Sequence, residues 1–201
     1  MIGLLAALSA AAAGGMRIAL PLLLIGLLQS DDLWSRVPIL SSLNPQVVIA
    51  VLVSWSLFEL FASKKLLGQR LLQTVQLVFS PLVGAMMGMA IAQLTFVGED
   101  TEAPGLVLAI IGVVGGLLAL VLQLVQVGWF YRLGRLPVWA ILSQDILCVF
   151  LVFFAFDAPT EGAIIALLLL WLAIRSSQQW YRWYIAQGRK KNPRKHKQEP
   201  D

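Results

Sequence analysis

Apolar runs of roughly twenty residues, the length that crosses the hydrocarbon layer of a bilayer, recur along this chain. They cover residues 3–28, 46–63, 71–97, 105–131, 137–156 and 162–185. No water is available in hydrocarbon to satisfy backbone N–H and C=O groups, so a run of this kind satisfies them within a helix. Charged residues make up 13% of the 201 residues, against about 25% in a soluble domain. The expectation is an all-α fold. It is a polytopic membrane helix bundle of about six transmembrane helices spanning residues 1–188, followed by a basic, disordered tail at 189–201. Bilayer lipid is its first partner. The N-terminal run has small residues resembling a signal-peptide cleavage site, but no positive region precedes it. It reads as a retained first helix.

The links between runs alternate in character. Asp31, Asp32 and Arg36 lie in the first, Lys64, Lys65 and Arg70 in the second, and Glu99, Asp100 and Glu102 in the third. Arg132 and Arg135 follow, then Asp157 and Glu161, then the basic stretch "RKKNPRKHK". Lys and Arg mark the cytoplasmic side, so both termini are expected there. Trp129, Trp139, Trp180 and Trp183 fall near the basic ends, where an aromatic belt belongs. The formal charge of +4 comes largely from the tail. It argues for contact with anionic lipid headgroups and not for nucleic acid.

The third and fourth runs mirror each other. Gln73, Gln76, Ser80, Gly84 and Gly88 share one helix face, and Gly112, Gly116, Ala119, Gln123 and Gln126 share another. An antiparallel hairpin turning near Asp100 sets 73 beside 126, 76 beside 123, 80 beside 119, 84 beside 116 and 88 beside 112. The stretches "GAMMG" and "GVVGG" are small-xxx-small patterns that let backbones approach closely in lipid. The glutamines either bond across the interface as packing contacts or line a polar cavity.

Four ionisable residues lie within the runs: Arg17, Glu59, Asp145 and Arg175. Arg175 is close enough to the tail to snorkel to the cytoplasmic surface. Glu59 lies about a turn from Lys64, and a surface pair is its plain reading. Asp145 lies eight residues beyond Pro137, about 12 Å deep at about 1.5 Å per residue, and an intramembrane acid faces a bundle interior or a wet cavity. Arg17 sits about 21 Å along its run by the same rise, a nominal offset of about 9 Å from Asp145. Gly14 and Gly15 permit a break before it and Pro21 a kink after it. Its leading partner is Asp145 and its second Glu59. The alternatives are an outward snorkel or free carbonyls at the Gly14–Gly15 break.

The chain resembles a bacterial family of small inner-membrane proteins catalogued as a domain of unknown function, over roughly residues 6–160. The stretches "GGMRIALPLLL", "FELFASKK", "SPLVGA" and "SQDILCVF" carry the resemblance. Arg17 and Pro21 match its first helix, Glu59 and Lys65 its second motif, Pro81, Gly84 and Ala85 its third, and Ser143 and Asp145 its last. Lys64 and Gln144 depart from it, each standing where the family has an acid. The resemblance implies a multi-pass protein of the bacterial inner membrane. It also places Arg17, Glu59 and Asp145 among the family's recurring polar positions.

Two functions fit. One is a small ion or solute transporter or channel, with Arg17, Glu59, Gln76, Gln123 and Asp145 as its intramembrane polar site. The other is a non-transporting scaffold or assembly factor that binds another membrane protein or itself. No enzyme is expected, since His-Glu-x-x-His, Gly-x-Ser-x-Gly and Walker A patterns are missing from the sequence. No cofactor is implied. Cys148 and His196, the one cysteine and the one histidine, make no metal cluster.

Overall fold

In the computed structural model, residues 2–28, 44–62, 66–97, 105–133 and 138–191 are described, and every element among them is an α-helix. In chain order these are α1 (Ile2–Met16), α2 (Ala19–Leu28), α3 (Pro45–Ala62), α4 (Leu66–Val97), α5 (Gly105–Leu133), α6 (Val138–Asp157) and α7 (Pro159–Lys191). Helices α4 to α7 are long and apolar enough to cross a membrane, and α1 and most of α3 form shorter apolar helices. The chain is an all-helical, polytopic membrane bundle. The loops at 29–43 and 98–104, and Lys64 and Lys65, lie outside the described residues. So does most of the expected tail, although its first residues, Arg189 to Lys191, continue α7 as helix.

The first apolar run is two helices. Helix α1 ends at Met16, and α2 begins at Ala19. Pro21 explains the break from the α2 side. It has no N–H to give the Arg17 carbonyl, and its ring would clash with that carbonyl in a continuous helix. Proline is tolerated in the first turn of α2, where N–H groups lack intrahelical acceptors anyway. Pro159 opens α7 in the same way, so α6 and α7 are joined through Ala158 alone.

Helix α1 is the axle of the bundle. It packs against α4, α5, α6 and α7, and its residues from Ser9 to Met16 are all buried. A helix that is apolar all round belongs in an interior. Here alanine and glycine do the packing: with so little side chain on α1, four neighbours can close on it. Ser9 uses its hydroxyl to donate to the Leu151 carbonyl on α6 at 2.7 Å and also touches Gly162 on α7.

The hairpin of α4 and α5 forms in the expected register to within a residue. Ser80 Oγ lies 3.3 Å from the Ala119 carbonyl and 3.3 Å from that of Gly14, sharing its proton between α5 and α1. Gly84 does not sit squarely on Gly116. It meets Ala119 and the Gly115 carbonyl, whereas Gly116 faces the Pro81 carbonyl. Gly112 faces Met89, and Gly88 lies in ordinary contact with Ile111. The offset arises because α1 also enters the seam. Gly14 lies against Gly84, and Gly15 against the Ala119 backbone. Small residues from three helices therefore meet at one node.

Candidate functional site

The break between α1 and α2 falls at Arg17, and the local structure follows from the open ends there. The last carbonyls of a helix have no partner within it. At the end of α1 three of them find partners, from Arg17 itself and from side chains on α4 and α6. The Ala13 carbonyl accepts from Arg17 N at 3.2 Å and from the Cys148 thiol at 3.5 Å. The Gly14 carbonyl accepts from Ser80. The Met16 carbonyl accepts from Gln144 Nε2 at 2.7 Å. A cation is also favoured at the negative end of a helix, which is where Arg17 stands.

The Arg17 side chain is buried between α3 and α6. Its Nε donates to Asp145 Oδ1 at 2.6 Å, and its Nη1 lies 3.8 Å from Glu59 Oε2. Asp145 and Glu59 are therefore joint partners of one guanidinium. The offset of about 9 Å was counted along an unbroken helix, and the helix is broken at Arg17 and Ile18. Glu59 is not a surface residue, and Lys64, the partner its plain reading gave it, lies outside the described residues. Its carboxylate is buried and accepts from Trp55 Nε1 at 2.9 Å and from Gln76 Nε2 at 3.2 Å.

Gln76 in turn accepts from Gln123 Nε2 at 3.4 Å. The five expected polar residues thus form one continuous chain of contacts, running Gln123, Gln76, Glu59, Arg17, Asp145. Each of the helices α3, α4, α5 and α6 supplies at least one of its members. Gln126 does not join the hairpin series. Its Oε1 accepts from Gln144 Nε2 at 2.9 Å. Gln144 therefore ties α5 to the end of α1, a role unread in the sequence, where it was noted only as standing in place of an acid.

A cavity of about 550 Å³ lies among α5, α6 and α7 and ends on Gln144 and Met16, the chain neighbours of Asp145 and Arg17. Asp145 itself does not line it. The Asp145 side chain is 20% exposed against 5% for Glu59, so the cluster is more open at Asp145. Arg175 lines the same cavity. Its guanidinium is not turned toward the tail. It lies 5.2 Å from the ring centre of Trp171, one turn earlier in α7.

Among families of known proteins, the model described as Domain of unknown function (DUF4126) matches residues 4–179. That span holds every residue of the polar cluster. No curated protein and no solved structure matches the chain.

Proposed function

We propose that this chain, which belongs to the DUF4126 family, is a small transporter of protons or small cations, with Arg17, Glu59 and Asp145 as its intramembrane site. The observation that carries the reading is the charge count at the helix break. Two carboxylates converge on one guanidinium, and the cluster is neutral only when one acid also holds a proton or a small cation. Ionisable groups at membrane depth mark ion paths and proton relays. Broken helices at mid-membrane are the usual frame for such sites. Asp145, the more exposed acid, takes the ion first. Glu59, held by Trp55 and Gln76, is the inner acceptor.

The test is flux in proteoliposomes carrying an internal pH dye under an imposed potential. Protein-loaded vesicles should acidify well above empty ones, and Asp145→Asn should lower the rate about tenfold or more. Glu59→Gln gives a second reading if the first variant unfolds. Flux no greater than in empty vesicles, by the pH dye and by sodium- and potassium-sensitive dyes in parallel vesicles, overturns transport. The second reading, a non-transporting scaffold, is favoured by the close-packed node of α1, α4 and α5 and expects that null result.

The same reading carries six crossings of the bacterial cytoplasmic membrane, with both termini inside and the basic tail against anionic headgroups. It includes no catalytic chemistry, and association with itself or with another membrane protein stays within it. Reporter fusions at Asp100 and beyond Lys191 should report opposite sides, outside and inside respectively. A cytoplasmic signal at Asp100 overturns the orientation.

A further inference from the structure

The cavity among α5, α6 and α7 has a mostly apolar lining, with Gln126, Ser143 and Gln144 on its α5–α6 side and Arg175, Ser176 and Gln179 on α7. Trp129 and Gln179 are the last residues of the apolar spans of α5 and α7, and Arg175 lies one turn before Gln179. Leu122 and Leu169 line it one to three turns deeper in the same helices. From Gln179 to Leu169 is about 15 Å at about 1.5 Å per residue, half the depth of a hydrocarbon layer of about 30 Å. Its volume of about 550 Å³ is within the usual range of about 300–1,000 Å³ for a ligand site.

Arg175 is the informative group. Among the described residues no carboxylate lies within ion-pair distance of it, in contrast to Arg17. Its guanidinium lies over the Trp171 ring, 5.2 Å from the ring centre. A bond of 2.6 Å from Trp129 Nε1 to Ser176 Oγ holds α5 and α7 together beside it. A cation at the mouth of an apolar slot, with no acid of its own, is complementary to an anion attached to an acyl chain.

We propose that this cavity binds one anionic phospholipid of the surrounding bilayer, with its phosphate at Arg175 and an acyl chain directed toward Leu122 and Leu169. The site differs from the basic tail, which meets headgroups at the surface without taking up a chain. It also stands independently of ion transport.

The experiment is native mass spectrometry of the full chain in mild detergent, titrated with phosphatidylglycerol or phosphatidylcholine. One phosphatidylglycerol should be retained per chain, at least fivefold more tightly than phosphatidylcholine. Arg175→Gln should remove that preference, and Arg175→Lys should keep most of it. Ala140→Phe, which narrows the cavity and leaves every charge in place, should lower retention of phosphatidylglycerol at least fivefold. Arg175→Gln changes an exposed side chain, so it serves even if the narrowed variant fails to fold. Equal retention of the two lipids by the native chain overturns the proposal. So does phosphatidylglycerol binding that survives Arg175→Gln but is lost when residues 192–201 are removed.

Discussion

Arg17→Gln should be the most damaging single substitution in the chain, costing about 3–5 kcal/mol, the range for breaking a buried ion pair from one side. The reason is the count of partners. Asp145→Asn leaves Arg17 with Glu59 at 3.8 Å, a cation still facing an anion. Arg17→Gln strands the buried Glu59 carboxylate and the part-buried Asp145 carboxylate at once. Thermal or chemical unfolding in detergent measures both. Adding Asp145→Asn to Arg17→Gln should recover part of the loss, because one stranded acid is then neutral and Glu59 keeps its bonds from Trp55 and Gln76. If the two losses simply add, Arg17 and Asp145 act separately and the pairing does not hold the bundle. If Arg17→Gln costs no more than Arg175→Gln, an exposed site, the cluster contributes nothing to stability.

The second large effect concerns glycines that look alike in sequence. Gly15→Ala should cost about 1–3 kcal/mol or more, the range for overpacking a close contact. A Cβ there would lie 2.7 Å from the Ala119 Cα, and backbone cannot step aside as a side chain can. Gly88→Ala should be tolerated. Its nearest neighbour would be the Ile111 carbonyl at 3.6 Å, an ordinary contact, and alanine is the better helix former by about 1 kcal/mol. Gly116→Ala belongs with Gly15, because its Cβ would lie 2.8 Å from the Pro81 carbonyl. Equal losses at positions 15 and 88 would show that the node is loose and that glycine is used there for some other reason.

The contrast shows what a linear pattern can carry. Spacing alone puts Gly84, Gly88, Gly112 and Gly116 on facing sides of a hairpin, and the Ser80–Ala119 and Gln76–Gln123 contacts follow that register. Spacing within two helices cannot reveal a third. The arrival of α1 shifts Gly84 toward Ala119 and brings in Gly14, Gly15 and Gly115. The run of small residues from Ala10 to Gly15 was the signal for it, since side chains so small suit a helix enclosed on every side. The partners of Arg17 were legible because a buried guanidinium needs an acid and few acids lie within the apolar runs. Their distance was not, because depth counted along an unbroken helix fails where the helix ends. Glu59 stood in two readings, a surface residue beside the basic Lys64 and the second partner of Arg17, and its burial and its 3.8 Å approach to Arg17 favour the latter. Its actual partners, Trp55 one turn earlier on α3 and Gln76 on α4, depend on tertiary packing. Gln144 showed only as a departure from a motif, and its two bonds depend on the broken end of α1.

The placement of α1 sets an order of events during biosynthesis. The helix that becomes the centre is made before the helices that surround it. Ser9 waits for the Leu151 carbonyl across a separation of 142 residues, and Arg17 for Asp145 across 128. Arg17 therefore enters the membrane as a lone cation. On insertion scales that costs about 2.5–3.5 kcal/mol at mid-helix, which the apolar residues on either side have to outweigh. Glu59 is made next, and Asp145 only after α4 and α5. Until α6 and α7 emerge, α1 keeps its alanine face against lipid, so the native packing around it closes only once α7 has been made.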